Sequence, residues 1–176
     1  MCDKVMAMPP AIRNLFHFTD RRNLPLIQAT GGLFSYARLK EMGIKIPAPG
    51  GNDWSHEADA HKGMDRYVHL CFRDNHPMEY LAKVDGRIVS SIFLSIHMDV
   101  LQIEGVRFTG EVSNKADVET CSIEEATGFI DFDMLYGGWK DFNIPEIKSR
   151  LQRVEKYEIL VPDHVPFGLI LNFPNG

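Results

Sequence analysis

Apolar and polar positions repeat with two different periods along this chain, and the switches between them mark out its elements. After a loop-like lead-in from Met1 to Pro10, Ile12 to Phe18 reads as a strand whose end, Phe16-His17-Phe18-Thr19-Asp20, changes period. Asn23 to Thr30 predicts a helix, with Asn23 or Asp20 as cap, Pro25 in the first turn and Gly31 in the left-handed position beyond it. Ser35 caps a second short helix through Met42, ended by Gly43. Residues 44–64 are the least patterned, with Pro47, Pro49, Gly50 and Gly51, and are expected to form a long loop. Tyr67 to Phe72 is a strand by residue type, and Asn75 caps a helix with Pro77 in its first turn. Arg87 to Ile96 is the most strand-like run, and Val100 to Thr109 predicts one or two short strands broken at Glu104-Gly105. The acidic stretch Asp117 to Glu125 reads as solvated surface. Phe129 to Tyr136 reads as a short helix stopped by Gly137-Gly138, and Pro145 starts a helix running to about Glu155. Phe167 to Phe173 is a near-continuous apolar strand, expected to be central.

One strand breaks its own pattern. In Lys156-Tyr157-Glu158-Ile159-Leu160-Val161-Pro162, Tyr157, Ile159 and Val161 alternate onto one face, which turns Glu158 and Leu160 to the other. If that face lines a cleft, Glu158 has chemistry to do. By spacing alone, an edge strand with one face in water is the simpler account.

Composition narrows the choices. The chain has 176 residues, 44% hydrophobic and 24% charged, which suits one globular domain over residues 1–176. A net charge of −5 gives no global attraction to nucleic acid or to an anionic membrane, so any nucleic-acid contact must use a local patch. Cys2, Cys71 and Cys121 are odd in number and widely spaced, which implies neither a disulfide framework nor a zinc cluster, and Cys71 reads as a buried small hydrophobe. No run approaches about 18 apolar residues, and no leader pattern opens the chain, so a cytoplasmic protein without a membrane segment is expected. His56 and His61 stand five apart, rotated by about 140° on a helix, whereas the zinc-protease motif needs a spacing of four and one shared face. They read as solvated loop histidines, and no metal is expected.

Phe16-His17-Phe18-Thr19 with Asn23-Leu24, Ile27, Gly31-Gly32-Leu33 and Ser35; Tyr67-Val68 through Phe72 with Asn75-His76-Pro77-Met78; and Tyr157-Glu158-Ile159-Leu160-Val161-Pro162 with Val165-Pro166 together resemble the DarT family of nucleic-acid ADP-ribosyltransferases. The resemblance covers residues 16 to 166. It implies an α+β fold with a split mixed β-sheet, surrounding helices and an NAD cleft. It further implies ADP-ribose transfer from NAD, as co-substrate, to a nucleobase in single-stranded DNA or RNA. Such a protein would be a toxin with an antitoxin protein as partner.

Carried over residue by residue, the resemblance makes His17, Phe18 and Thr19 the holders of the nicotinamide and its ribose, with Asn23, Gly32 and Phe34 near the cofactor. It makes Glu158 the catalytic carboxylate, suited to stabilise positive charge that builds on the ribose. Read without it, His17 is a packed core histidine, Asn23 a helix cap, Gly32 a turn glycine and Phe34 a core aromatic. One departure stands out: between Lys45 and Arg66 the chain lacks the arginine that the family places before the Tyr67 strand. Arg66 is the nearest guanidinium, with Lys62, His61 and His56 as weaker substitutes. For a base that must be unstacked to react, Trp54, Tyr136 and Trp139 are stacking candidates. Arg150 and Arg153 share a helix face within a basic group that includes Lys140, Lys148 and Lys156, and are expected to meet phosphates. Two other readings remain: an inactive nucleotide-binding module with the transferase fold, and a metal-dependent hydrolase built on His56 and His61.

Overall fold

The computed structural model describes residues 12–51 and 53–174, without the side chains at 53, 54, 55 and 58, so the lead-in Met1 to Pro10 lies outside the described residues. In chain order the elements are β1 (Leu15–Asp20), α1 (Leu24–Thr30), β2 (Gly32–Phe34), α2 (Tyr36–Glu41), α3 (Asp53–Lys62), β3 (Tyr67–Cys71), α4 (Pro77–Val84), β4 (Ser91–Ile96), β5 (Arg107–Thr109), α5 (Ile123–Ala126), α6 (Phe132–Tyr136), α7 (Pro145–Val154), β6 (Glu158–Pro162) and β7 (His164–Pro166). The strands form one sheet in the order β4-β1-β3-β6-β5 and a separate β2-β7 pair. The split sheet of the expected fold is present, and all its strand pairs are antiparallel.

The split has a definite origin. β1 pairs with β4 from Leu15↔Ile96 to Asp20↔Ser91, but with β3 only at Phe16↔Cys71. Beyond that point β1 and β3 part, and the His17 ring enters the gap, its Nδ1–H donating to the His69 carbonyl at 3.0 Å. On the other side β6 lies between β3 and β5, with Cys71 and Thr109 both opposite Glu158. The edge-strand account of Glu158 is thereby excluded, because β6 has a partner on each side. One face of this half carries the core, where Phe72, Phe108 and Tyr157 meet edge to face with centroids 5.3 to 6.1 Å apart. The opposite face, by strict alternation, presents Glu158, His69, Cys71 and Thr109.

Local chemistry explains the joints. Gly31 ends α1 with φ +83°, the left-handed conformation that glycine adopts freely. Gly32 is required by contact as well: at φ +148° a Cβ there would stand 2.2 Å from the Val165 carbonyl oxygen, closer than the β2-β7 pair allows. Asp20, fully buried, accepts from Arg22 N, Nε and Nη2 and from the backbone N–H groups of Val89 and Ser90, and so ties the end of β1 to the start of β4. The guanidinium of Arg22 holds its carboxyl far below the usual carboxylate range.

Several expectations are corrected. Residues 53–62 form α3 inside the stretch expected to be a loop; this polar helix lacks an apolar stripe and is held by contacts made outside itself. Lys62 Nζ donates to the carbonyls of Ser113 and Lys115. His76, not Asn75, caps α4, with Nδ1 accepting from Met78 N at 3.2 Å, while Asn75 Nδ2 donates to Glu155. Within Val100 to Thr109 the chain makes a 3-10 turn, Met98–Gln102, before the three residues of β5. Phe167 to Phe173 is not a central strand: Phe167–Leu169 is a 3-10 turn, and a single bridge joins Ile170 to Ile96. The rings of Phe167 and Phe173 meet at 4.8 Å, which folds the run back on itself. Inside the acidic stretch, Ser122 and Glu125 form a capping box for α5, whose Ile123 is buried.

Candidate active site

The gap between the parted strands opens into a cavity of about 230 Å³. His17, Phe18 and Thr19 reach it from β1, Asn23 from the start of α1, Gly32 and Phe34 from β2, and Glu158 from β6. Sequence positions far apart thus converge on one wall. Further lining comes from α2 (Tyr36, Leu39), α3 (His56, Asp59), Asp65, β3 (Tyr67, His69), Met78 and the loop after β5 (Val112, Ser113, Asn114), among others.

Glu158 is 5% exposed. Its Oε2 accepts from Ser113 N at 3.1 Å and lies 3.4 Å from His69 Nδ1. Its Oε1 faces His76 Nε2 at 3.4 Å, outside hydrogen-bond geometry. Burial works to raise the Glu158 pKa, but the His69 hydrogen bond and charge, the nearby His76 ring and the Ser113 hydrogen bond outweigh it, so the carboxyl stays below its ordinary value and is ionised. For His69, burial works to lower the pKa, and the Glu158 hydrogen bond with the charges of Glu158 and Asp59 reverses this, raising it to about 9. The surrounding rings behave otherwise. Burial lowers the His17 pKa to about 4 and also lowers that of His76, so both rings are neutral near pH 7. Burial raises the pKa of Asp59 and pushes up the Cys71 thiol beside Glu158, as suits the inert packed cysteine expected.

The other nominated residues divide. Asn23 does not cap α1; its Nδ2 donates to Thr19 Oγ1 and to the Ala48 carbonyl, while Oδ1 accepts from Ala48 N, which clamps the 44–51 segment onto β1. Phe34 stacks on His164 at 4.2 Å. Arg66 does not reach the cavity: its side chain is 67% exposed and pairs with Glu41 at 3.9 Å. The side chain of Trp54 lies outside the described residues. Trp139, Tyr136, Arg150 and Arg153 are absent from the cavity wall. Arg150 grips Asp131 through Nε and Nη2 at 2.7 and 2.8 Å and stacks on Trp139, whose Nε1–H donates to the Asp133 carbonyl. Arg153 is exposed on α7, and Lys156 pairs with Glu111 at 3.2 Å. His56 is on a helix and half-buried, stacked on Tyr36 at 3.9 Å. Among the described residues no three His, Cys, Asp or Glu side chains gather as a metal site.

His69, Ser113, His76 and Asp59 were not nominated. Alternation in Tyr67 to Phe72 was a usable signal for His69, since it sets the ring opposite Val68 and Leu70 and on the face of Cys71. No local pattern marked Ser113 or Asp59.

A split antiparallel sheet opening on a cavity with one ionised glutamate is the fold of ADP-ribosyltransferases of the DarT type. Solved structures with this fold include Thermus sp. 2.9 DarT in complex with ADP-ribosylated ssDNA, at TM-score 0.67 and 17% identity over 92% of this chain and 80% of that one. Thermosipho africanus DarTG in complex with ADP-ribose follows at 0.65 and 15% identity, over 90% of this chain, which spans 42% of that one. Thermus sp. 2.9 DarT in complex with NAD+ matches at 0.59 and 18% identity, over 93% and 81%. The chain belongs to the DarT family: the family model described as ssDNA thymidine ADP-ribosyltransferase, DarT, matches residues 16–173. A comparison with curated proteins returned no match.

Proposed function

We propose that this chain, as one transferase domain over residues 1–176, moves ADP-ribose from NAD+ to a thymidine of single-stranded DNA. The observation that carries the reading is the ionised Glu158 on the wall of the cavity that also receives His17, Thr19, Gly32 and Phe34. The bond from nicotinamide nitrogen to ribose C1′ breaks, and its electron pair leaves with neutral nicotinamide. Positive charge then grows on the ribose, and the Glu158 carboxylate stabilises it while accepting a hydrogen bond from a ribose hydroxyl. Thymidine's one ring N–H, at N3, supplies the nucleophile: the N3–C1′ bond forms and the N3 proton passes to Glu158 and on to water. His17, with Nδ1–H spent on the His69 carbonyl, turns an accepting Nε2 to a ligand, as suits a carboxamide or hydroxyl donor.

The family's toxin role implies a neutralising protein partner, and the likeness to Thermosipho africanus DarTG supports that expectation. Among the described residues no helix is long and apolar enough to cross a membrane, and we place the activity in the cytoplasm. A cavity wall that carries no lysine or arginine among the described residues favours the second reading, an inactive nucleotide-binding module. Incubation with NAD+ and separate DNA and RNA oligonucleotides, with the products weighed, decides between them. A gain of one ADP-ribose on thymidine-containing single-stranded DNA is expected. NAD+ binding without transfer or nicotinamide release would select the module.

A further inference from the structure

Among the described residues the cavity wall holds carboxylates of Glu158, Asp59 and Asp65 and no lysine or arginine, and His69 stands among them. Both nitrogens of its ring are engaged. Nε2 lies 3.0 Å from the Met64 carbonyl, an acceptor only, so Nε2 carries a hydrogen. Nδ1 lies 3.4 Å from Glu158 Oε2 and 3.0 Å from Ser113 Oγ. The Ser113 hydroxyl can satisfy Nδ1 of a neutral ring, but only the cation donates to the Met64 carbonyl and to the Glu158 carboxylate together. Ser113 closes the triangle, since its backbone N–H donates to the same Oε2.

We propose that His69 is a positioning residue for the transfer reaction: held between the Met64 carbonyl and Ser113, it pins Oε2 of Glu158 and leaves Oε1 for the substrate. This rests on the proposed transferase function. The arrangement divides the carboxylate into two unequal oxygens. Oε2 has its donors from β3 and from the loop after β5, whereas Oε1 makes no hydrogen bond among the described residues. His76, 1% exposed and absent from the cavity wall, stands with Nε2 3.4 Å from Oε1 but outside hydrogen-bond geometry; its Nδ1 accepts from Met78 N, which puts the ring hydrogen on Nε2. The charge on His69 is set by its neighbours on every side. Glu158 on β6 and Asp59 on α3 favour the cation, while burial holds His17 on β1 and His76 at the start of α4 neutral near pH 7, His76 facing the other oxygen of the carboxylate.

The test compares wild type, His69→Asn, His69→Gln and Glu158→Gln for nicotinamide release from NAD+, with and without a thymidine-containing single-stranded oligonucleotide, below and above pH about 9. Omitting the oligonucleotide separates His69 from ionisation of the thymine N–H. Asparagine keeps a donor where Nδ1 stands but carries no charge; glutamine keeps only the donor to Met64. His69→Asn is expected to lose about 10-fold and His69→Gln about 10²-fold in kcat, with KM for NAD+ nearly unchanged. The wild type is expected to lose kcat through pH about 9, and both variants to lack that fall. Folded variants with wild-type kcat overturn the proposal, and so does a lowered kcat that keeps the alkaline fall, which would make the ring a mere strut. Should neither variant fold, a wild-type profile that is flat through this range overturns it. Full activity in Glu158→Gln would defeat the transferase reading itself; a dead Glu158→Gln with indifferent His69 variants defeats only the role of His69.

Discussion

Asp20 and Glu158 are both buried carboxylates, at 0% and 5% exposure, one closing β1 and the other opening β6. Asp20 is surrounded by five donors from Arg22, Val89 and Ser90 at 2.7 to 3.2 Å, which leaves it little capacity to meet a ligand. Glu158 has donors on Oε2 alone, and the face that carries it opens on the cavity. Burial therefore does not separate a structural carboxylate from a reactive one. Unfilled hydrogen-bond capacity beside open space does, because the cost of burying a charge is offset at Asp20 inside the protein and at Glu158 only in part.

The sharpest break between the two is kinetic. Glu158→Gln is expected to lower transfer by about 10²–10³-fold in a protein that still folds, with a modest fall in melting temperature because His69 loses the carboxylate that holds its proton. Mass analysis of the oligonucleotide beside a thermal melt checks both halves. Asp20→Asn should act on stability instead: unfolding free energy falls by about 2–4 kcal/mol because the charge is removed and an amide NH2 replaces one of the two accepting oxygens, and kcat is kept wherever the protein remains folded. Denaturant titration measures the first, and loss of kcat in the folded variant would show that Asp20 reaches the chemistry.

Acid and alkali should also act on different sites. The folded pKa of Asp20 is depressed by Arg22, so its stabilisation is present above the ordinary value of 3.8 and is lost as pH falls. The folded pKa of His69 is raised from 6.5 to about 9, so its stabilisation is complete below 6.5 and disappears as pH rises through about 9. Melting curves of His69→Asn should lack the alkaline decline of wild type, and those of Asp20→Asn should differ from wild type most above pH 4. The smallest effect is expected at Arg150. Because Asp131 already holds its guanidinium, Arg150→Ala should lower the melting temperature slightly and leave the salt dependence of oligonucleotide binding unchanged. A salt slope reduced by about one would return α7 to the path of the nucleic acid.

The signals readable from the chain were those that arise within a few residues. Pro25 and Gly31 bounding α1, Ser35 capping α2 and Pro145 opening α7 each follow from a backbone group or a φ value that its neighbours impose. Alternation turned Glu158 away from Tyr157 and Ile159, and the order of short motifs brought out His17, Thr19, Gly32 and Glu158, which share one cavity. The same reasoning failed where stability comes from elsewhere. The polar helix α3 has no apolar period to detect, and Phe167 to Phe173, apolar throughout, does not show that its first residues turn in 3-10 form. Nor does Asp131, 19 residues from Arg150, give any local sign that it will pair with the guanidinium.

By itself the sequence determined the helices α1, α2 and α7, the strands β3 and β6, and that a glutamate enters an apolar strand. The tertiary structure decided what that glutamate meets: His69 lies 89 residues away along the chain and Ser113 lies 45, and only the pairing of β3 with β6 and the return of the loop after β5 bring their donors to one oxygen. Local periodicity is set by backbone geometry over a turn or a pleat, whereas the ionisation and orientation of Glu158 depend on groups whose proximity is created by packing across the sheet.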